Sequence, residues 1–111
     1  MRELLHVDDL GRACVFVLEK WSPLPGELNF LNVGTGIDLS IRELAEAVAA
    51  ATGYKGTIHW DHTKPDGTPK KQLDVNRLAA LGWQSRITLN EGLATTIDLF
   101  RKEFAHQQVR L

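Results

Sequence analysis

The sequence predicts an α/β fold, with about three short strands and four helices in 111 residues. Three observations lead to this prediction. Short apolar segments alternate with longer segments whose apolar residues recur at helical spacing. Two Ser/Thr-x-x-Glu motifs, at 40–43 and 88–91, mark helix starts. Glycine and proline punctuate the segments between them. The predicted order is β-α-β-α-β-loop-α-α, with no internal repeat.

The first two elements are a strand over 2–7 and a helix that begins at Asp8 and Asp9. Both carboxylates can accept from the unpaired N–H groups of a helix start, where negative charge is also favoured. The apolar residues at helical spacing are Leu10, Ala13, Cys14, Val17 and Leu18. They predict one buried face. The helix must end before Pro23 and Pro25, because proline cannot continue it.

The next two elements are a strand and a helix. The apolar strand covers 28–33 and ends at the glycine turn 34–36, and the helix after it has clear start and end motifs. Ser40 and Glu43 form a capping box, in which each side chain satisfies an exposed backbone donor. The apolar stripe of this helix comprises Ile41, Leu44, Ala45, Val48 and Ala49. Gly53 stands where a helix C-cap belongs.

A third strand is predicted over 57–60, followed by the loop 63–74, which reads TKPDGTPKKQLD. Asp74 can cap a short helix that runs through Leu81 and is stopped by Gly82. These signals complete the α/β alternation.

The last helix begins at the second Ser/Thr-x-x-Glu motif, Thr88 to Glu91. Its apolar residues follow the helical period over four turns. They are Leu89, Leu93, Ile97, Phe100 and Phe104. The polar tail, from about 105 to 111, is expected to fray.

Composition excludes several functional classes. The net charge is −1, with 43% hydrophobic and 24% charged residues, which argues against a nucleic-acid or membrane-surface protein. The lone Cys14 permits no disulfide within the chain, and no apolar run reaches the ~20 residues of a membrane helix. We therefore expect a single cytoplasmic domain. Its open strand edges predict either self-association, for example as a dimer, or a missing N-terminal portion.

The glycine turn does not satisfy the dinucleotide-binding fingerprint. Gly34 and Gly36 follow a predicted strand, but Leu39 occupies the position of the third glycine. No acidic residue stands ~20 positions further on. We therefore predict no cofactor-binding residue in this chain.

Metal-binding and catalytic constellations are not recognisable either. His59 and His62 are two candidate ligands where a zinc site needs three or four, so no metal is predicted. The only tyrosine, Tyr54, has Ile58 rather than lysine four residues later. Cys14 falls in a predicted apolar stripe, which favours a packed thiol. No catalytic residue is predicted.

The loop 63–74 remains open to two interpretations. Its Pro-Asp-Gly turn could present Asp66 to a ribose hydroxyl and lysines such as Lys64, Lys70 and Lys71 to phosphate oxygens. It could equally be a solvated connector. From residue chemistry alone the connector is favoured, because lysine-rich turns are common on surfaces.

Five segments together resemble the C-terminal part of the GDP-L-fucose synthases, which are extended short-chain dehydrogenases. They read RELLHVDDL, LNVGTGIDLSIRELA, GYKG, KPDGTPKKQLDVNRLAALGW and LNEGLATT. The resemblance runs from Arg2 to about Phe104. Two departures are Leu4, where the family commonly has phenylalanine, and Gln72, where it commonly has leucine.

The resemblance implies a partial Rossmann-type fold in which residues 1–111 form the substrate-binding portion. Enzymes of this family are about three times as long, and their NADP-binding loop and catalytic residues lie in the part not represented. The family uses NADP, yet we expect none to bind this chain alone. The apolar faces of the first two helices would rest on that other part.

The resemblance also favours the anion-binding interpretation of the loop. Arg2 corresponds to an arginine that contacts the GDP-sugar, and Asp66 and Lys71 lie in the loop that closes on the same ligand. The implied partner is a GDP-sugar such as GDP-4-keto-6-deoxymannose or GDP-L-fucose. A non-catalytic nucleotide-sugar-binding or oligomerisation module is the alternative.

Overall fold

The computed structural model describes residues 1–106. Six elements follow one another in it, which confirms the α/β class and the four helices. They are β1 (Arg2–Glu3), α1 (Val7–Lys20), β2 (Asp38–Leu39), α2 (Ile41–Thr52), α3 (Asn76–Ala80) and α4 (Leu89–Ala105). The two strands pair antiparallel, with Arg2 opposite Leu39 and Glu3 opposite Asp38. Residues 107–111, which include most of the tail expected to fray, lie outside the described part.

The capping signals place α2 and α4 correctly. Ser40 Oγ accepts from Glu43 N at 3.0 Å, and Glu43 Oε2 accepts from Ser40 N at 2.7 Å. Gly53 closes α2 with a φ of 76°, the left-handed conformation that glycine adopts without steric cost. Thr88 Oγ1 accepts from Glu91 N at 3.2 Å at the start of α4. Side chains and backbone conformations near the helix ends were therefore sufficient to predict these boundaries.

The start of α1 differs from the prediction. The N-cap is His6, whose Nδ1 accepts from Asp8 N at 3.0 Å. Asp9 is not a cap: its buried carboxylate accepts from Ile87 N at 2.9 Å and from Arg86 N at 3.1 Å. The prediction was wrong here because Asp9 satisfies donors from a segment nearly eighty residues away.

The strand predictions were mostly wrong. Residues 28–33 and 57–60 are not strands, and β1 is shorter than the predicted 2–7. A strand needs a neighbour for its backbone groups, and the described chain pairs only β1 with β2. Within 28–33, the carbonyl of Phe30 accepts a hydrogen bond from a side chain instead of a neighbouring strand: Arg77 Nη1 donates to Phe30 O at 2.6 Å.

The helix predicted from Asp74 through Leu81 is shorter than expected. It is α3, and its N-cap Val75 makes no side-chain cap bond. Asp74 Oδ1 still accepts from Asn76 N at 3.0 Å, so the carboxylate stabilises the turn that leads into α3. The helix ends before Gly82, whose φ is 106°.

The core is small, and the chain is less compact than an ordinary globular domain of its length. Ala13, Leu78 and Trp83 are buried, with Leu5, Phe16, Val17, Leu31 and Val33 packed around them. The accessible surface is 8820 Å², whereas a folded monomer of this mass exposes about 6,100 Å². The radius of gyration is 17.4 Å, against about 13 Å for a compact domain of this length. Much of the apolar surface is therefore uncovered.

The uncovered surface includes parts of α1 and α2. Leu18 is 85% exposed and Ile41 is 47% exposed. Cys14 is also exposed, so its predicted burial in the apolar face of α1 was wrong. The buried side of α1 carries Asp9 and Ala13 instead. No helix in residues 1–106 is long and apolar enough to cross a membrane.

Candidate functional site

The loop 63–74 lies against the N-terminal strand. Lys71 N donates to Met1 O at 3.1 Å, and Arg2 and Lys71 form an isolated parallel bridge. The terminal ammonium of Met1 donates to Pro69 O. These bonds bring the backbones of Arg2 and Lys71 together, and they join Met1 to Pro69, which lies 68 positions further along the chain.

The Arg2 side chain connects β1 to the turn of the loop. Its Nη1 donates to Met1 O at 2.8 Å and to Thr68 O at 2.7 Å. The position that a Cβ on Gly67 would occupy lies 3.4 Å from Arg2 Nη2. A guanidinium has five N–H donors, so these two bonds use only part of its donor capacity.

Asp66 and Lys71 are both exposed. Asp66 precedes Gly67 in the turn that approaches Arg2, so its backbone lies in the same part of the loop. The adjacent lysine has a different role, because Lys70 Nζ lies 3.6 Å from Asp38 Oδ2. Lys70 therefore ties the loop to β2, while Lys71 is pinned to β1 through its backbone.

Two further contacts hold this side of the molecule together, and sequence reasoning missed both. Gln72 Nε2 donates to Gly36 O at 2.7 Å. Glu3 Oε2 accepts from Gly36 N at 2.9 Å. The only sequence signal for either contact was Gln72, which stands where the resembled family commonly has leucine. Both contacts converge on the glycine turn.

The glycine turn therefore holds a carboxylate of the protein itself. A Cβ placed on Gly34 would collide with Glu3 Oε1 and would lie 3.3 Å from Val75 Cγ1. Gly34 is needed so that the carboxylate can reach the turn. The negative charge of Glu3 also makes this turn a poor place for a phosphate.

Replacing Gly34 by Ala is expected to lower the free energy of unfolding by about 1–3 kcal/mol, because overpacking forces neighbouring atoms to move. Urea denaturation followed by circular dichroism measures this change. The matched control is Gly11→Ala, since a Cβ there meets nothing within 4 Å; it should stabilise α1 by about 0.5–1 kcal/mol. In a Glu3→Ala background the cost of Gly34→Ala should shrink; an undiminished cost would contradict the assigned collision.

The loop begins at a turn built on Asp61. Its Oδ1 accepts from Thr63 Oγ1 at 2.6 Å and from Thr63 N at 2.9 Å. Two hydrogen bonds from Thr63 lower the pKa of Asp61, and the bond from the side chain has a larger effect than the bond from the backbone. The turn is followed by the exposed segment that carries Lys64 and Asp66.

Curated relatives match almost the whole chain. It is 49% identical over 108 residues to GDP-L-fucose synthase of Escherichia coli K12, covering 90% of this chain and 33% of that protein. It is 46% identical over 107 residues to GDP-L-fucose synthase 1 of Arabidopsis thaliana, covering 96% of this chain and 32% of that protein. The chain thus spans about a third of the length of these relatives. No protein-family model matches it.

Solved structures agree with the sequence relatives. A GDP-6-OMe-4-keto-L-xylo-heptose reductase from C. jejuni superposes with a TM-score of 0.82 at 27% identity, covering 92% of this chain and 31% of that one. A GDP-mannoheptose C4 reductase from Campylobacter jejuni, solved with NADP bound, gives 0.78 at 26% identity, covering 90% and 31%. Over nearly all its length, the chain belongs to the GDP-L-fucose synthase family of extended short-chain dehydrogenases and corresponds to its C-terminal third.

Proposed function

We propose that this chain is the GDP-sugar-binding portion of a GDP-L-fucose synthase-type enzyme. The parent reaction would convert GDP-4-keto-6-deoxymannose to GDP-L-fucose by epimerisation at C3 and C5 and NADPH-dependent reduction at C4. The observation that supports the proposal is the backbone bridge between Arg2 and Lys71, which brings two residues with cationic side chains together beside the loop that carries Asp66. The E. coli and A. thaliana relatives, both GDP-L-fucose synthases, support it.

The proposed contacts follow from the chemistry of the three side chains. Arg2 can present guanidinium donors to a diphosphate oxygen while Nη1 keeps the turn in place. Lys71 can add an ammonium point charge. The ionised carboxylate of Asp66 accepts hydrogen bonds only, which suits a ribose hydroxyl. The arrangement binds and orients a nucleotide sugar.

The reactive groups would come from the rest of such an enzyme. Proton transfer at C3 and C5 needs an acid and a base, and C4 reduction needs a hydride donor. NADPH would supply the hydride, and we propose that it binds outside this chain. The proposed compartment is the cytoplasm, since a single cysteine forms no disulfide within the chain.

Calorimetry with GDP-mannose and purified chain tests the proposed site. Affinity should be weak, because part of the pocket is missing and binding must order exposed side chains. Lys71→Ala and Arg2→Ala should each weaken binding about tenfold or more, as a hydrogen bond to a charged group contributes about 1.5–3 kcal/mol. Added salt should weaken wild-type binding further.

The matched control is Lys55→Ala, which removes an exposed lysine outside the loop. It should bind GDP-mannose as the wild-type chain does. Equal affinity for Lys71→Ala and wild type would show that the loop is not the site. Absence of any heat with the wild-type chain at millimolar ligand would also count against the proposal.

A further inference from the structure

Gly36 connects the two segments that carry the cations of the candidate site. Its N–H donates to Glu3 Oε2 at 2.9 Å, and its carbonyl accepts from Gln72 Nε2 at 2.7 Å. Glu3 follows Arg2 directly in the sequence. Gln72 follows Lys71 in the same way. Each of the two cationic residues is therefore next to a residue that is hydrogen-bonded to the same glycine.

The alternation of side chains along extended backbone separates these bonds from the cations. Successive side chains of a strand point to opposite faces, and Arg2 and Glu3 are the two residues of β1. Arg2 and Lys71 are bridge partners, so we expect their side chains to lie on a common face. Glu3 and Gln72, which both reach Gly36, belong to the opposite face.

The residue before Lys71 is also held on that opposite face. Lys70 Nζ lies 3.6 Å from Asp38 Oδ2, and Asp38 stands opposite Glu3 in the pair of strands. Asp38 Oδ2 is buried and has no hydrogen-bond partner in the described residues, so the ammonium group of Lys70 compensates its charge. The backbone of Lys71 is thus fixed through the side chains on either side of it in the sequence, those of Lys70 and Gln72.

Of these two side-chain contacts, the one made by Gln72 is the stronger. Its length of 2.7 Å is at the short end of the range for an N–H···O hydrogen bond. The contact of Lys70 is longer, and the lysine side chain is 60% exposed. Exposed ion pairs contribute little and are screened by salt. A hydrogen bond between two neutral amide groups does not depend on salt in this way, so Gln72 does more to hold Lys71.

We propose that Gln72 is a positioning residue of the GDP-sugar site. Its bond to Gly36 holds Lys71 on the face that it shares with Arg2, so that both cations meet the diphosphate of one ligand. This role rests on the proposed function. Gln72 does not touch the ligand itself, because its amide is bonded to Gly36 on the other face. A lysine that is already in place loses less conformational freedom when the ligand binds.

Gln72→Leu tests this role, because leucine has no N–H donor and leaves the net charge unchanged. Titrations with GDP-mannose followed by NMR measure the dissociation constants. We expect Gln72→Leu to weaken binding about three- to tenfold, the factor that corresponds to one ordinary hydrogen bond. In a Lys71→Ala background the same substitution should have no effect on the dissociation constant, because no ammonium group remains to be positioned.

Amide hydrogen exchange of the free chain tests the contact without any ligand. Lys71 N donates to Met1 O at 3.1 Å, and it should exchange about three- to tenfold faster in Gln72→Leu. Amides within α4 should exchange as in the wild type, which would show that the fold is intact. The matched control is Gln84→Leu. Gln84 is exposed as Gln72 is, but its backbone carbonyl makes the contact, with Arg12; this variant should bind and exchange like the wild type.

Three results would overturn the proposal. The first is wild-type affinity of Gln72→Leu for GDP-mannose. The second is an equal loss of affinity in the Lys71→Ala background, since Gln72 would then support the fold without acting through Lys71. The third is unchanged exchange of Lys71 N–H in Gln72→Leu. If Lys71 N–H exchanges faster in this variant but the wild-type chain binds no GDP-mannose, the GDP-sugar site is wrong, and the role of Gln72 in it is wrong too; the two failures are therefore distinguishable.

Discussion

Replacing Asp9 by Ala is expected to lower the free energy of unfolding by about 3–5 kcal/mol, because it breaks a buried, hydrogen-bonded ion pair and leaves its partners unsatisfied. The carboxylate is 1% exposed. It accepts from Arg12 Nη2 at 3.0 Å, in addition to the backbone N–H groups of Arg86 and Ile87. It holds the segment before α4 against α1, so its loss separates two parts of the small core.

Urea denaturation followed by circular dichroism measures this loss, and the chain is expected to be largely unfolded if its stability is marginal. The matched control is Asp98→Ala, which removes an exposed carboxylate that lies 2.9 Å from Lys102 on α4. Surface pairs contribute little, so this control should unfold with the wild type. A small effect of Asp9→Ala, equal to that of the control, would contradict the role assigned to Asp9.

The same carboxylate makes stability depend on pH in the acid range. Burial raises the pKa of Asp9, but hydrogen bonds from Ile87 N, Arg12 and Arg86 N together bring it below its ordinary value. Because the folded pKa is below the unfolded value of about 3.9, the stabilisation is fully present above about pH 4 and is lost as the pH falls through the folded pKa. Asp9→Asn should lack this part of the acid dependence.

Replacing Trp83 by Ala is expected to destabilise the chain by about 3–5 kcal/mol, the usual cost of truncating a buried tryptophan. Trp83 is 3% exposed and belongs to the buried cluster with Ala13 and Leu78. The Arg12 guanidinium also lies 4.9 Å from the centre of its ring, which adds a cation–π contact. Few other apolar side chains are buried in the described residues, so little other packing can offset the loss of the indole ring.

Trp83→Phe should cost clearly less than Trp83→Ala. The phenyl ring keeps most of the apolar volume, and it removes an indole N–H that is buried without a hydrogen-bond partner in the described residues. Thermal unfolding of the two variants measures the difference. Equal destabilisation by Phe and Ala would show that the indole N–H makes an essential bond and that packing is the smaller effect.

The sequence was sufficient wherever the cause is local. Ser40 and Glu43 close a capping box with atoms three residues apart, and Gly53 adopts a backbone conformation that depends on the residue itself. The α/β class and the four helices followed from such signals and from apolar periodicity. The resemblance located Arg2, Asp66 and Lys71 in one candidate site, of which the structure brings the backbones of Arg2 and Lys71 together.

Contacts between distant residues were decided only by the tertiary structure. Asp9 looked like a helix cap, yet its partners are the N–H groups of Arg86 and Ile87. Residues 28–33 have strand-like composition but no strand partner in the described chain. Sequence patterns record side-chain polarity and local backbone preference. Which distant donor meets a carboxylate, and whether a strand or an apolar helix face is covered, depends on what the rest of the polypeptide places beside it.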